Sequence, residues 1–155
     1  MKLRANFVSN SSSSSYVVVP ENYHSNINDD YARLKVAFEF SENYEDWDGF
    51  LDGETCFGWQ EQEYHDFESK WNWLVLQAFY GGQKYIEIIN DFLSSISNRI
   101  ELNWSSVEDA ENNANAYIDH QSIDAQRTFD EIEPIGISNF LLDSQCYIQN
   151  GNDNG

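Results

Sequence analysis

The stretch QEQEYHDFESKWNWLVLQAFYGGQKYIEIINDFLSSIS, residues 60–97, decides the fold. Tyr64, Phe67, Trp71, Leu74, Val75 and Ala78 fall at i, i+3, i+7, i+10, i+11 and i+14, the period of an amphipathic helix over residues 60–80. Gly81-Gly82 ends it, because glycine reaches the conformations that close a helix. Tyr85, Ile88, Ile89, Phe92, Leu93 and Ile96 predict a second amphipathic helix to about Ser97. Two helices joined by so tight a turn predict an αα-hairpin over residues 60–98.

Strand signals flank the hairpin. Tyr16-Val17-Val18-Val19 is a β-branched run that predicts a first strand, buried on both faces because it does not alternate, and Pro20 ends it. In ARLKVAFEF, Leu34, Val36, Phe38 and Phe40 alternate with Arg33, Lys35, Ala37 and Glu39, which predicts a half-buried strand with an amphipathic helix as the alternative. Residues 41–60 read as an acidic loop anchored by Trp47, Phe50, Phe57 and Trp59. Ile100, Leu102 and Trp104 alternate and predict another strand.

Ser105 and Ser106, with Glu108 or Asp109 three residues on, form a capping box for a third helix whose stripe is Val107, Ala110, Ala114, Tyr117 and Ile118. Ser122 is the expected cap of a short fourth helix through Ile132, which stops before Pro134. ISNFLLDSQCYIQ predicts a closing strand or bent pair of strands. The expected fold is α/β or α+β: a small mixed sheet of about four strands with three to four helices. Residues 1–150 are expected to form one domain and 151–155 a polar tail.

Charge narrows the partners. The 155 residues carry 27 acidic and 8 basic side chains, a formal net charge of −19. No basic stripe exists to replace phosphate counterions, so direct binding to nucleic acid or anionic lipid is disfavoured. A partner recognised by charge is basic: a cationic protein surface, a divalent metal or a nucleic-acid-binding protein. Cys56 and Cys146 lie in no metal-binding spacing and predict reduced thiols in a cytoplasmic protein. No stretch approaches the ~20 apolar residues of a membrane span. Lys2 and Arg4 precede no apolar core of a secretory signal.

The N-terminus carries a longer pattern: Lys2-x-Arg4-x-x, then Phe7, Val8, Ser9, Asn10, Ser11, Ser12, Ser13, Ser14, Ser15 and Tyr16. It resembles a signature at the start of bacteriophage and bacterial proteins that have no agreed activity; those often have Gly before the Phe, where this chain has Asn6. The resemblance covers the first 19 of 155 residues and implies a phage or prophage origin, hence the cytoplasm of a bacterial host, without naming a mechanism. As residues, the serines offer backbone amides and hydroxyls, but with no glycine and no following lysine they are not a phosphate loop. They read as a connection held inside the fold, with Phe7 and Val8 buried.

Catalytic patterns are weak. His24, His65 and His120 have no nucleophile signature nearby. Glu61, His65 and Glu68 are spaced i, i+4 and i+7, so on a helix they would offer ligands to a divalent ion; an exposed polar face is the simpler reading. Asp46, Asp48, Asp52 and Glu54 miss the register of a calcium loop. No cofactor is expected.

What remains is acidity in two sets. Glu42, Glu45, Asp46, Asp48, Asp52 and Glu54, with Glu39, crowd residues 39–54, and Glu108, Asp109 and Glu111 open a second set that continues through Asp119, Asp124, Asp130, Glu131 and Glu133. Carboxylates on a rigid surface imitate the spaced phosphates of a duplex and can occupy a basic groove; a solvated acidic surface with no partner is the alternative. The expected function is therefore that of a phage-encoded acidic protein that inhibits a basic host protein, a nucleic-acid-binding or antiviral defence factor. A virion or assembly protein, and a small metal-dependent enzyme using the Glu61, His65, Glu68 face, are the alternatives.

Overall fold

The computed structural model describes residues 13–25, 27, 33, 34, 36, 38, 55–58, 61–96 and 101–152. Their centre is helix α1, Phe67–Gly81. Asp66 starts it, its carboxylate accepting the Ser69 N–H at 2.9 Å. Residues 70–78 of α1 are buried on every side, because four other helices and two short strands pack around it. Gly82 closes it with φ 99° and an N–H bonded to the Ala78 carbonyl at 3.1 Å. Helix α2, Gln83–Ile96, returns along α1 and buries Ile89, Leu93 and Ile96, so the predicted hairpin is present.

Helix α3, Trp104–Asn112, is capped by Asn103, whose side chain accepts from the Ser105 and Ser106 N–H groups. Helices α4, Ala125–Ile132, and α5, Ile137–Leu142, complete the layer around α1. The strands form two sheets. One is three-stranded and antiparallel in the order β1 (Ser13–Val18), β5 (Tyr147–Asn152), β3 (Gln62–Tyr64). The other pairs β2 (Thr55–Phe57) with β4 (Ala116–Ile118) in parallel. The architecture is α+β, with five strands and five bounded α-helices among the described residues.

One apolar cluster joins the elements, running from Val17 and Ile148 in the sheet through Trp71, Trp73 and Leu74 of α1 to Phe129 and Phe140. Edge-to-face rings tighten it: Phe38 against Trp71 at 4.9 Å and Phe57 against Trp73 at 5.1 Å.

Several local expectations are corrected. Residues 62–64 are strand, not helix, because they pair with β5 and Asp66 caps the helix only afterwards. Arg33, Leu34, Val36 and Phe38 are helical: Leu34 and Phe38, four apart, are buried while Val36 is 69 % exposed, which period two would forbid. Glu101, Leu102 and Asn103 form no strand, and Trp104 already belongs to α3.

The third helix stops at Asn112, so Tyr117 and Ile118 extend no stripe and instead lie in β4. The fourth is capped by Asp124 rather than Ser122, which lies in a 3-10 turn, His120–Ser122. The segment expected as closing strands is α5 followed by β5, and Gly151 and Asn152 of the expected tail are in β5. Strand β1 begins three residues early, at Ser13, and alternates: Ser15 and Val17 are buried, Tyr16 and Val18 half-buried. Phe7 and Val8 lie outside the described residues.

Candidate functional site

Polar residues in the middle of a buried helix must find partners inside the protein, since an unpaired buried polar group costs about 1–3 kcal/mol. Gln77 of α1, with no exposed surface, does so by bridging to the segment before α4. Its Nε2 donates to the Ser122 carbonyl at 2.8 Å, and its Oε1 accepts the Asp124 N–H at 2.9 Å. Ser122 Oγ in turn accepts the Ser15 N–H at 2.6 Å, and the Ser15 hydroxyl donates to Asn150 Oδ1. This chain of bonds ties α1, the 3-10 turn, the serine strand and β5 together, and Ser15, Ser122 and Asn150 are all buried.

Outside the network, between the outer edge of β1 and α4, lies a cleft of about 60 Å³. Val17, Ser122 and Thr128 line it, with Asp124, Arg127 and Glu131 at its rim. Thr128 is a buried residue of this lining. Arg127 Nε donates to Glu131 Oε1 at 3.1 Å, an i, i+4 pair on α4, and Asp124 Oδ1 accepts the Arg127 N–H at 3.0 Å.

A second buried polar group lies about two turns earlier on α1, on nearly the same face. Lys70 Nζ donates to the carbonyls of Asp143 (3.1 Å) and Cys146 (3.0 Å), with the Phe140 ring 5.4 Å away. Burial lowers the Lys70 pKa to about 8, against the opposing pull of Cys146 and Asp143. Asp143 accepts the Tyr23 hydroxyl at 2.7 Å, and burial, with that bond, pushes Tyr23 up to about 12. Burial also pushes the Cys146 thiol up to about 11, so the thiol stays protonated and inert at neutral pH. The cluster braces the turn between α5 and β5.

The sequence-predicted sites are dispersed. Of the signature, Ser13, Ser14, Ser15 and Tyr16 lie in β1, and residues 7–12 fall outside the described residues. Glu42, Glu45, Asp46, Asp48, Asp52 and Glu54 also fall outside them. Glu108 and Asp109 project from α3 into solvent. Glu111 is half-buried and accepts the Tyr80 hydroxyl at 3.1 Å, and burial pushes Tyr80 up to about 12. Asp119 is buried beside β2, which raises its carboxyl pKa.

The helical metal face is not formed, because Glu61 precedes β3, His65 follows it and only Glu68 is in α1. Both His65 ring nitrogens are occupied, Nδ1 by the Ser144 carbonyl at 2.6 Å and Nε2 by Glu63 at 2.9 Å, while the ring stacks on Tyr147 at 4.4 Å. Among the described residues no three His, Cys, Asp or Glu side chains are grouped to hold a metal ion. The Ser15 hydroxyl donates to Asn150, and the Ser122 hydroxyl oxygen accepts a backbone amide. Among the described residues no helix is long and apolar enough to cross a membrane.

Sequence reasoning missed Gln77, Ser122, Thr128 and Asn150. A signal existed for the first: in KWNWLVLQAF, Lys70, Asn72 and Gln77 interrupt a run that is apolar on all faces, so they must be interior. Comparison with protein-family models, with curated proteins and with solved structures finds no match to this chain.

Proposed function

We propose that the protein is an acidic binding protein that docks on a basic protein surface and blocks it, in the manner of a nucleic-acid mimic. The observation that supports this is the charge: 27 acidic against 8 basic residues. Exposed carboxylates on a capped helix, Glu108 and Asp109 of α3, are held at fixed spacing. A partner with a nucleic-acid groove gains from such a surface the counterion release and steering it normally takes from phosphates. The N-terminal resemblance to bacteriophage proteins makes a host factor, nucleic-acid-binding or defensive, the target of choice.

The test is capture from bacterial lysate across a salt series. Basic proteins are retained at low ionic strength and released as the Debye length falls to about 3 Å near 1 M salt. Charge reversal at Glu108→Lys with Asp109→Lys slows association on the order of tenfold at low salt. Retention of no basic protein at low salt overturns the reading.

A further inference from the structure

Asn150-Gly151, in β5, is a dipeptide with a chemistry of its own. The main-chain nitrogen that follows an asparagine can attack that residue's side-chain Cγ. It does so most readily in glycine, where no Cβ crowds the approach.

The fold holds both reacting groups. The Ser15 N–H donates to Ser122 Oγ and so points away from β5, which makes Ser15–Asn150 a non-hydrogen-bonded pair of the ladder. The neighbouring pair, Ser14–Gly151, is then the one that exchanges main-chain bonds, so the Gly151 N–H is given to the Ser14 carbonyl. The Asn150 side chain, on a residue 1 % exposed, is held at Oδ1 by the Ser15 hydroxyl. Nucleophile and electrophile are thus both tied to β1, through adjacent serines.

Strand β1 lies at the edge of its sheet, and the two halves of its pairing with β5 are unlike. Val17 is opposite Ile148, and both belong to the core. Ser13, Ser14 and Ser15 are opposite Asn152, Gly151 and Asn150, where no apolar pair forms. The serine half rests on hydrogen bonds, so it opens at a lower free energy than the valine half. Its opening frees the Gly151 nitrogen and the Asn150 side chain together.

We propose that Asn150 is a site of spontaneous deamidation held shut by β1, and that its conversion irreversibly records the opening of the serine half of β1 from β5. In the open form the Gly151 nitrogen bonds to Asn150 Cγ and gives up its proton. The bond from Cγ to the amide nitrogen breaks, and ammonia leaves. Water then opens the resulting succinimide at either carbonyl, giving aspartate or its β-linked isomer, with nothing oxidised or reduced. The β-linked product adds a carbon to the main chain of the middle strand, which spoils its register with β1 and β3. Aspartate instead puts a charge at a buried position, which is costly. Both products disfavour reclosing, and neither depends on the acidic-docking reading above.

The test follows Asn150 in the full chain by peptide mapping and mass spectrometry at mildly alkaline pH, beside the free peptide acetyl-Tyr-Ile-Gln-Asn-Gly-Asn-amide. Mapping separates Asn150 from Asn154-Gly155, a second such pair that lies outside the described residues. Asn150 is expected to convert at least about a hundredfold more slowly in the chain than in the peptide. Its rate should rise in urea below the unfolding transition, in step with hydrogen exchange at the Gly151 amide. Ser15→Ala, which removes the side-chain tie, speeds conversion about fivefold. Gly151→Ala suppresses it while the thermal midpoint holds, because a Cβ there meets nothing nearer than Gln149 Nε2 at 4.0 Å.

Conversion as fast in the chain as in the peptide would show that β1 protects nothing, and overturns the proposal. Conversion confined to the global unfolding transition, or an unchanged rate in a folded Ser15→Ala, overturns it as well. Should Ser15→Ala not fold, the urea series on the unsubstituted chain decides, and a rate that does not track Gly151 exchange counts against the site.

Discussion

Lys70 shows how much a single side chain depends on where its helix is buried. Its two bonds to the Asp143 and Cys146 carbonyls stitch the α5–β5 turn to α1. Its folded pKa, about 8, lies below the unfolded 10.5, so between these values the unfolded chain binds more protons and the Lys70 contribution to stability rises with pH. Lys70→Met orphans two carbonyls and is expected to destabilise by about 1–3 kcal/mol at neutral pH. Urea titrations of both proteins should show that deficit growing by up to about 3 kcal/mol from pH 8 to 10.5. A deficit constant with pH would mean that the lysine is solvated. Gly58 is the counterpart for backbone: φ is +125°, and a Cβ there would lie 2.2 Å from Asp119 Cβ. Gly58→Ala should cost roughly 2–4 kcal/mol in urea denaturation, from strain and overlap together. The burial of Lys70 was legible in the apolar run around it, but the need for glycine at 58 was not, since it comes from Asp119, which is distant in sequence.

At the scale of elements, helix reading succeeded where period and punctuation agreed. Both hairpin helices and the Gly81-Gly82 stop follow from the residues at 67–96 themselves. Boundaries were set by side-chain caps that periodicity ignores. Asp66 delays α1 past His65 and thereby dissolves the Glu61, His65, Glu68 face. Asp66→Ala should lower stability by about 1 kcal/mol, read as a drop in the urea midpoint with unchanged slope. An unchanged midpoint would show that packing of α1 alone fixes its start. Strands three residues long were beyond reading: β3 and β4 exist because β5 and β2 offer them partners. Leu34 and Phe38 show the reverse case, an alternating sequence wound into a helix because two residues four apart meet the core.

For the whole molecule, a net charge of −19 sets a repulsion that folding must overcome. Screening relieves it, so the thermal midpoint should rise by several degrees as NaCl goes from about 20 mM to about 500 mM, the Debye length shrinking to a few ångströms. A midpoint independent of salt would show that the carboxylates lie too far apart to couple. By itself the sequence determined the αα-hairpin, its glycine turn, the early strand after the serines and the electrostatic character. These are properties of near neighbours along the chain: a period, a residue type, a sum. Only the tertiary structure decided that Ser13, Ser14 and Ser15 are themselves strand, that Ser15 pairs opposite Asn150, and that Gln77, Ser122 and Ser15 join in one buried network. Those contacts link residues 45 to 135 positions apart, and no local pattern encodes which distant donor a buried acceptor will meet.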